Sequence, residues 1–252
     1  MNYQRVLLEQ LARDYSADAD ELAKGGCTFH LDNGDMTGRR RYGERDSFLK
    51  LVSTGSALAV SSQNEALLDW MRKHFDCYHE WISEAYKMYD INDRLGQYGH
   101  TLCDFHNFFL PSEHFDDRLY ETERVCTVRL FRDDLGQFEG NPIFRESLAF
   151  NPYSPDMLAI AALDEAGTII GTAGASADSP TMWQIGVNVA KEHRGHGIAR
   201  YLVRLIKNEI LSYGIVPFYG TANSHIASQR TALSCGFVPA WWEAYSEELE
   251  EE

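Results

Sequence analysis

After about residue 120 the order of apolar and polar positions favours a series of short strands. Val125 to Phe131 alternates apolar and polar residues, as a half-buried strand does, and Met157 to Leu163 is an almost continuous apolar run, as a buried strand is. Asp164 to Gly167 has the composition of a turn. The same reasoning predicts further strands at Thr168 to Ala175, Met182 to Val189 and Val216 to Tyr219, and a last strand that starts at Gly236-Phe237.

Helical spacing appears between these strands. Ile198, Leu202, Leu205, Ile206 and Ile210 repeat at helical spacing, and Gly214 supplies a stop signal after them. Three shorter helices are predicted over 132–138, 142–149 and 226–234, the second of them opened by Asn141-Pro142.

The first half of the chain predicts a mixture of helices and strands. An amphipathic helix is expected over 4–14, and a second short helix ends at Gly25-Gly26. Ser62 and Glu65 have the spacing of a capping box that opens a helix over 64–75. The remaining expected elements are a strand at Ala57 to Val60, a helix over 79–90 and a strand over 101–111.

The length of 252 residues, 44% of them hydrophobic, is enough for two domains with their own cores. The stretch 111–122 is polar and contains a proline, so we expect the boundary there. The predicted domains are 1–120, a smaller mixed α/β domain, and 121–252.

Charge and cysteine content narrow the classes of protein. A net charge of −15 argues against binding to nucleic acid or to an anionic membrane, and is compatible with a cationic partner. No apolar run is long enough for a membrane helix, and the N-terminus has no apolar signal-peptide core. Five cysteines, an odd number without a CxxC pair, favour free thiols and a cytoplasmic location.

Several apparent motifs are weak. The basic run Arg39-Arg40-Arg41 with Arg45 is predicted to be a solvated loop, with phosphate contact as the alternative. Two C-x-x-H pairs, Cys27/His30 and Cys103/His106, lie in strand-like sequence, where residues three apart point to opposite faces, so no metal site is predicted. An HExxH pattern fails at Ser83, and a GxSxG pattern at Gly174 lacks its final glycine.

The junction around Arg194-Gly195-His196-Gly197 carries the clearest chemistry. It has two glycines and a helix start directly after a buried strand. Glycines let the backbone curl closely around a ligand, and amide groups at a helix N-terminus attract an anion. The loop therefore predicts a pyrophosphate site. It lacks both GxxxxGK[ST] and the third glycine of GxGxxG.

Two motifs together resemble the GNAT superfamily of N-acetyltransferases over about residues 123–245. Arg194-x-x-Gly197-x-Ala199 is similar to the Q/R-x-x-G-x-G/A motif that binds acetyl-CoA in that family, and a valine, Val189, stands five residues upstream. The downstream pattern runs from His225 through Ser228 and Ala232 to Gly236-Phe237, and is similar to the family's second motif.

The resemblance implies an α/β (α+β) fold with a mixed, twisted sheet flanked by helices. That sheet would splay between the strand before the loop and the strand Val216–Tyr219, with acetyl-CoA in the splay. Backbone groups of the strand would hold the pantetheine and polarise the thioester, the loop amides would hold the diphosphate, and Arg200 would reach the 3′-phosphate. The implied cofactor-binding residues are Val187, Asn188, Val189, Arg194, Gly195, His196, Gly197, Ile198, Ala199, Arg200, Asn223 and Ser228.

The sequence departs from the family pattern where protons are moved. His225 replaces the motif asparagine, for which Asn223 is a substitute, and Ala232 replaces the tyrosine that often protonates the thiolate. The strand Trp183–Val189 has no carboxylate to serve as a base. The candidates for this work are therefore Tyr219, Asp178, Glu146 and His225, and a site that depends mainly on proximity is the alternative.

The implied activity is transfer of an acetyl group from acetyl-CoA to a primary amine of a cationic small molecule or peptide. The alternative is a non-catalytic module that binds or senses acyl-CoA. The sequence identifies neither the acceptor nor an oligomeric state; the acceptor side would come from residues 1–120, the 132–156 region and the aromatic C-terminal strand.

Overall fold

The structure is a computed structural model that describes residues 1–41, 44, 46–114 and 125–249. Its helices are α1 (Tyr3–Asp14), α2 (Ala19–Lys24), α3 (Glu65–Phe75), α4 (Ala85–Gly96), α5 (Arg132–Leu135), α6 (Ile198–Ser212) and α7 (Ile226–Ser234). Its strands are β1 (Gly26–Leu31), β2 (Leu49–Ser53), β3 (Ala57–Ser62), β4 (His100–Pro111), β5 (Cys126–Phe131), β6 (Asp156–Leu163), β7 (Ile169–Ser176), β8 (Met182–Val189), β9 (Val216–Ala222) and β10 (Phe237–Glu248). None of the helices in these ranges combines the length and the hydropathy that a bilayer span requires.

The chain forms two compact units, and its fold is mixed α+β, as predicted. Unit 1 contains residues 1–39, 43–108 and 240–252. Its strands follow the order β1-β3-β2-β10-β4, with β1 parallel to β3 and with β2 antiparallel to both β3 and β10. Helix α3 packs on β1 and β3, and its Leu67, Leu68 and Met71 enter the core of this unit.

Unit 2 contains residues 40–42 and 109–239. Its strands follow the order β9-β8-β7-β6-β5, antiparallel except for the parallel pair of β8 and β9. Helix α6 packs on β6, β7, β8 and β9. Leu202, Val203, Ile206 and Ile210 form the buried stripe of α6, which confirms the predicted helical spacing.

The predicted domain boundary falls mostly on residues 115–124, outside the described residues, and stays a prediction. The two units differ from the predicted domains at the C-terminus, because residues 240–252 belong to unit 1. Strands β4 and β10 each contribute residues to both units.

Three predicted elements are wrong in detail. Residues 142–147 form a run of turns and 148–149 have no regular structure, where a helix was predicted, because this segment lies directly on glycines of the sheet. The helix expected over 79–90 begins only at Ala85, after a series of turns. Helix α3 is capped by Asn64, whose side chain accepts from the N–H of Leu67, and not by Ser62, whose hydroxyl donates to the carbonyl of Phe48.

The basic run is not a solvated loop at Arg39. Its guanidinium is 2% exposed and donates to both carboxylate oxygens of Asp32, which is 1% exposed. Asp46 accepts from the same guanidinium at 2.6 Å and pairs with Lys50. Arg40 is also buried, whereas Arg45 lies outside the described residues. The carboxylates of Asp32 and Asp46 stabilise Arg39 in its buried position, because a buried cation needs an ionic partner.

Candidate functional site

Strands β8 and β9 separate part of the way along their length. Their parallel pairing covers Met182 to Ile185 on one strand and Val216 to Tyr219 on the other. Beyond this point β8 continues to Val189 and β9 to Ala222 without pairing to each other. The strands are parallel, so the opening lies at the carboxyl end of both, where open α/β sheets commonly hold ligands.

The hydrogen bonds of β8 show which of its backbone groups face this opening. The N–H of Ala190 donates to the carbonyl of Ile170, on the antiparallel neighbour β7. Since hydrogen-bonded and non-hydrogen-bonded pairs alternate in an antiparallel ladder, the backbone groups of Val187 and Val189 point away from β7. They therefore point into the opening, where the carbonyl of Val189 accepts from Nε of Arg194 at 2.9 Å.

The loop between β8 and α6 has the backbone that the sequence predicted. Gly195 and Gly197 have φ angles of +83° and +81°, and Gly197 occupies the N-cap position of α6 in the left-handed conformation. No hydrogen bond within the described ranges is donated by the backbone N–H groups of residues 195–199. These amides, at the positive end of a 15-residue helix, form a concavity suited to an anion.

Basic side chains lie in the loop and on the first turn of α6. Arg194 is exposed, and its Nε donates to the carbonyl of Val189. Arg200 lies half-buried on the first turn of α6. His196 is exposed, with Nδ1 at 3.3 Å from the carbonyl of His193. In a chain of net charge −15, this local excess of positive charge favours a phosphate ligand.

The turn after β9 lies at the same carboxyl end of the strand pair. Asn223 is exposed and its carbonyl accepts from Gln229, while His225 is exposed at the N-cap of α7 without a side-chain capping bond. At the other end of α7, Arg204 and Lys207 of α6 donate to the carbonyls of Ser234 and Cys235. The two helices are thus tied together, with both N-termini following the separated strands.

Tyr219 occupies the last paired position before the strands separate. It is 3% exposed, and its hydroxyl lies 3.0 Å from the hydroxyl of Ser228 on α7. Burial raises the pKa of the Tyr219 phenol above its ordinary value, although the hydrogen bond with Ser228 acts in the opposite direction. The phenol is therefore protonated at neutral pH and able to donate.

The two carboxylate candidates occupy different places. Glu146 is exposed, and its backbone carbonyl lies so close to β8 that a Cβ at Gly186 would come within 2.3 Å of it. Asp178 is buried and accepts from Ser176 at 2.7 Å. It follows the end of β7, and Ser176 there pairs with Gln184, so Asp178 lies toward the paired end of β8 and away from the glycine loop.

Sequence reasoning missed the contact between the 142–149 segment and the sheet. Gly174 and Gly186 face each other on β7 and β8, and a Cβ on Gly174 would lie 1.9 Å from the carbonyl of Ser147. The side chain of Asn188 donates to the carbonyls of Pro142 and Ile143, and its predicted role in cofactor binding stays a prediction. Glycines in the interior of predicted strands were the available signal, since they often mark close approach of another backbone.

Within the part of the chain that the structure describes, the ligand atoms of the Cys27/His30 pair and of the Cys103/His106 pair do not come together in one group. The group there with metal-ligating atoms close together consists of Cys103, Asp104 and Glu247, whose ligand atoms lie within 4.8 Å of one another. Both carboxylates in this group are exposed.

Comparison with known proteins gives a family match and several solved structures. Residues 117–237 match the model of the acetyltransferase (GNAT) family. None of the curated proteins matches this chain.

This chain is similar to several solved structures, including three from different organisms. An acetyltransferase from the GNAT family of Colwellia psychrerythraea is 15% identical, with a TM-score of 0.42 over 59% of this chain and 57% of the relative. A GCN5-related N-acetyltransferase-like protein from Streptococcus suis is 16% identical, with a TM-score of 0.44 over 74% of this chain and 70% of the relative. A GCN5-related N-acetyltransferase from Kribbella flavida is 14% identical, with a TM-score of 0.46 over 62% of this chain and 63% of the relative. In the first and third of these, this chain spans less than two thirds of the relative's length.

The family model covers β5 to β9, α6, the glycine loop and α7, which are the elements that build the site. Residues 117–237 are therefore an acetyltransferase domain of the GNAT family, which is a family of acyltransferases.

Proposed function

We propose that the protein transfers an acetyl group from acetyl-CoA to a primary amine. The observation that carries the proposal is the opening between β8 and β9, with unpaired strand backbone on one side and the glycine loop at its end. The family match supports acyl transfer in general, and the arrangement of the site supports acetyl-CoA as the donor.

In this proposal the cofactor follows the carboxyl end of β8. The diphosphate binds the amides of residues 195–199, with Arg194 and Arg200 adding positive charge for the phosphates. The pantetheine arm extends along Val187 and Val189 like an added strand. A backbone N–H of β8 then donates to the thioester carbonyl and stabilises the oxyanion that develops on it.

The proposed reaction moves two protons. The amine nitrogen attacks the thioester carbon, the new C–N bond forms, and the C–S bond breaks to release a thiolate. Tyr219, at the vertex of the opening, is the proposed donor to the thiolate. Glu146 is the proposed base for the amine, because its segment lies on β8, whereas Asp178 is buried toward the other end of that strand. Since His225 follows β9 on the phosphate side, it is the weaker candidate.

A cationic amine is the proposed class of acceptor. The net charge of −15 raises the concentration of cations near the protein. The basic groups beside the glycine loop are proposed to contact the phosphates of the cofactor and not the acceptor. A cytoplasmic location is part of the same proposal, supported by the five cysteines, none of which forms a disulfide.

The test is calorimetry with CoA on two matched glycine variants. Gly197 and Gly214 lie at opposite ends of α6 with φ angles of +81° and +75°, so glutamate strains the backbone similarly at both. Gly197→Glu also brings a negative side chain into the anion site and should abolish binding, whereas Gly214→Glu should bind CoA like the wild type. If Gly197→Glu binds CoA as tightly as Gly214→Glu and the wild type, the loop does not hold the diphosphate.

Three observations favour a second function, an acyl-CoA-binding module without catalysis. Position 232 is a buried alanine, β8 carries no carboxylate, and Tyr219 is enclosed by the core. A screen of amines with acetyl-CoA distinguishes the two functions, because only an enzyme releases free thiol in proportion to the amine.

A further inference from the structure

Unit 1 exposes three large aromatic side chains within nine residues. Trp81 is 60% exposed, Tyr86 59% and Tyr89 72%. Single exposed aromatic residues are common, but tryptophan and tyrosine grouped on a surface are typical of binding sites. We call Trp81, Tyr86 and Tyr89 the aromatic surface.

Helix α4 explains why two of these rings point outward. Lys87, Ile91 and Leu95 form its buried face. Tyr86 and Tyr89 are three residues apart and lie together on the exposed side of the helix. Trp81 belongs to the same region, because its carbonyl accepts from Nζ of Lys87 at 2.7 Å.

Acidic residues accompany the rings. Asp90 and Asp93 follow Tyr86 at helical positions i+4 and i+7, and both are exposed, as is Glu80 in the turns before α4. Asp76 and Glu84 complete five acidic residues between positions 76 and 93. Lys87 is the basic residue of this stretch that is not a histidine; it is buried and pairs with Glu84 at 3.3 Å, which leaves the other four carboxylates without that counter-charge. The surface is therefore both aromatic and negatively charged.

The protein itself shows what such rings bind. Nζ of Lys87 lies 4.2 Å from the ring centroid of Tyr78 and 5.2 Å from that of Tyr86, within the range of a cation–π interaction. A lysine ammonium is thus accommodated between two tyrosines of this region. Tyr89, at 72% exposed, is the most exposed of the three rings.

We propose that the aromatic surface and its carboxylates bind a lysine-rich segment of a partner polypeptide. Ammonium groups of the partner would contact the rings and pair with Asp90 and Asp93. The partner segment is therefore positively charged. Anionic partners such as nucleic acid or acidic lipid are repelled, and so is a second copy of a chain that carries a net charge of −15. Binding here uses none of the groups proposed to hold acetyl-CoA, so it goes beyond the acyl-transfer proposal and does not depend on it.

The experiment measures binding of a synthetic peptide of alternating lysine and serine to the full chain by calorimetry at low salt. The Trp81→Ala/Tyr89→Ala variant should bind it about tenfold more weakly, since two exposed cation–π contacts are lost. Phe131→Ala, at an aromatic residue 52% exposed on β5, is the matched control and should bind like the wild type.

A second variant tests the charges without touching the rings. Asp90→Asn/Asp93→Asn should also weaken binding and should reduce its dependence on salt, whereas Glu139→Gln/Glu165→Gln, at exposed acidic residues of unit 2, should not. Unchanged affinity in both surface variants overturns the proposal, and so does equally tight binding of a peptide in which leucine replaces lysine.

Discussion

Arg39 illustrates, at the scale of one residue, how ion pairs join residues that are separated along the chain. Its guanidinium contacts Asp32, Asp46, Ser16 and Asn33, and Lys50 lies 3.5 Å from Asp32. Burial alone would raise the pKa of Asp32. The hydrogen bonds from Arg39 and from the N–H of Gly34, with the charge of Lys50, outweigh burial and hold that pKa well below its ordinary value.

A lowered pKa has a definite consequence for stability. The network stabilises the folded chain fully above the ordinary aspartate pKa of about 3.9, and this contribution is lost as the pH falls toward the lower folded value. We expect Asp32→Asn to lower the free energy of unfolding at pH 7 by about 3–5 kcal/mol, because Arg39 keeps a buried charge with one partner fewer. Urea denaturation at pH 7 and at about pH 3 checks this expectation, since the difference between the two proteins should shrink in acid. A difference that does not depend on pH would contradict it.

Tyr219 gives the second prediction at this scale. If its hydroxyl protonates the leaving thiolate, Tyr219→Phe should lower kcat by about 10²–10⁴-fold while leaving the affinity for acetyl-CoA nearly unchanged. Ser228→Ala removes only the hydrogen-bond partner of the phenol and should lose much less activity. Steady-state kinetics with the best amine, together with CoA calorimetry, separate these effects. If Tyr219→Phe keeps the wild-type kcat, Tyr219 is not the proton donor, and water protonates the thiolate.

At the scale of elements, Gly174 and Gly186 allow the 142–149 segment to lie on the sheet. An alanine Cβ at Gly186 would approach the carbonyl of Glu146 to 2.3 Å, so the segment must shift. We expect Gly186→Ala to cost about 1–3 kcal/mol of stability, as overpacking does. Gly136→Ala, where a Cβ meets no atom within 4 Å, is the control. Thermal denaturation compares the two variants, and equal midpoints would contradict the close packing.

The 142–149 segment shows which parts of the fold cannot be predicted from local sequence signals. The strands β6 to β9 and the helices α6 and α7 were predicted within a few residues, because period and glycine stops are local signals. The glycine loop was predicted for the same reason. A helix over 142–149 was wrong because its conformation is set by Gly174 and Gly186, which lie elsewhere in the sequence. The ion pair of Arg39 and Asp32 likewise depends on a tertiary contact that no spacing reveals.

At the scale of the whole molecule, unit 1 is built from both ends of the chain. Trp242 to Tyr245 of β10 pair with Lys50 to Ser53 of β2, and Trp242 and Ala244 enter the core of that unit. If a protease cuts first within 111–122, as the predicted boundary requires, the two fragments should remain associated through this strand pairing. Size-exclusion chromatography after limited trypsin treatment, with and without urea, checks this expectation. Fragments that separate without urea would contradict it.

The return of the chain to unit 1 also matters while the protein is being synthesised. Strand β3 ends at Ser62, but Tyr245, which pairs with β2, leaves the ribosome 183 residues later. At ordinary translation rates of about 5–20 residues per second, β2 waits roughly 10–40 s for this neighbour. During that interval one edge of β2 lacks its native partner, and an unpaired strand edge can pair with another chain. Moving the codons for β10 ahead of residue 1 by circular permutation would remove the delay.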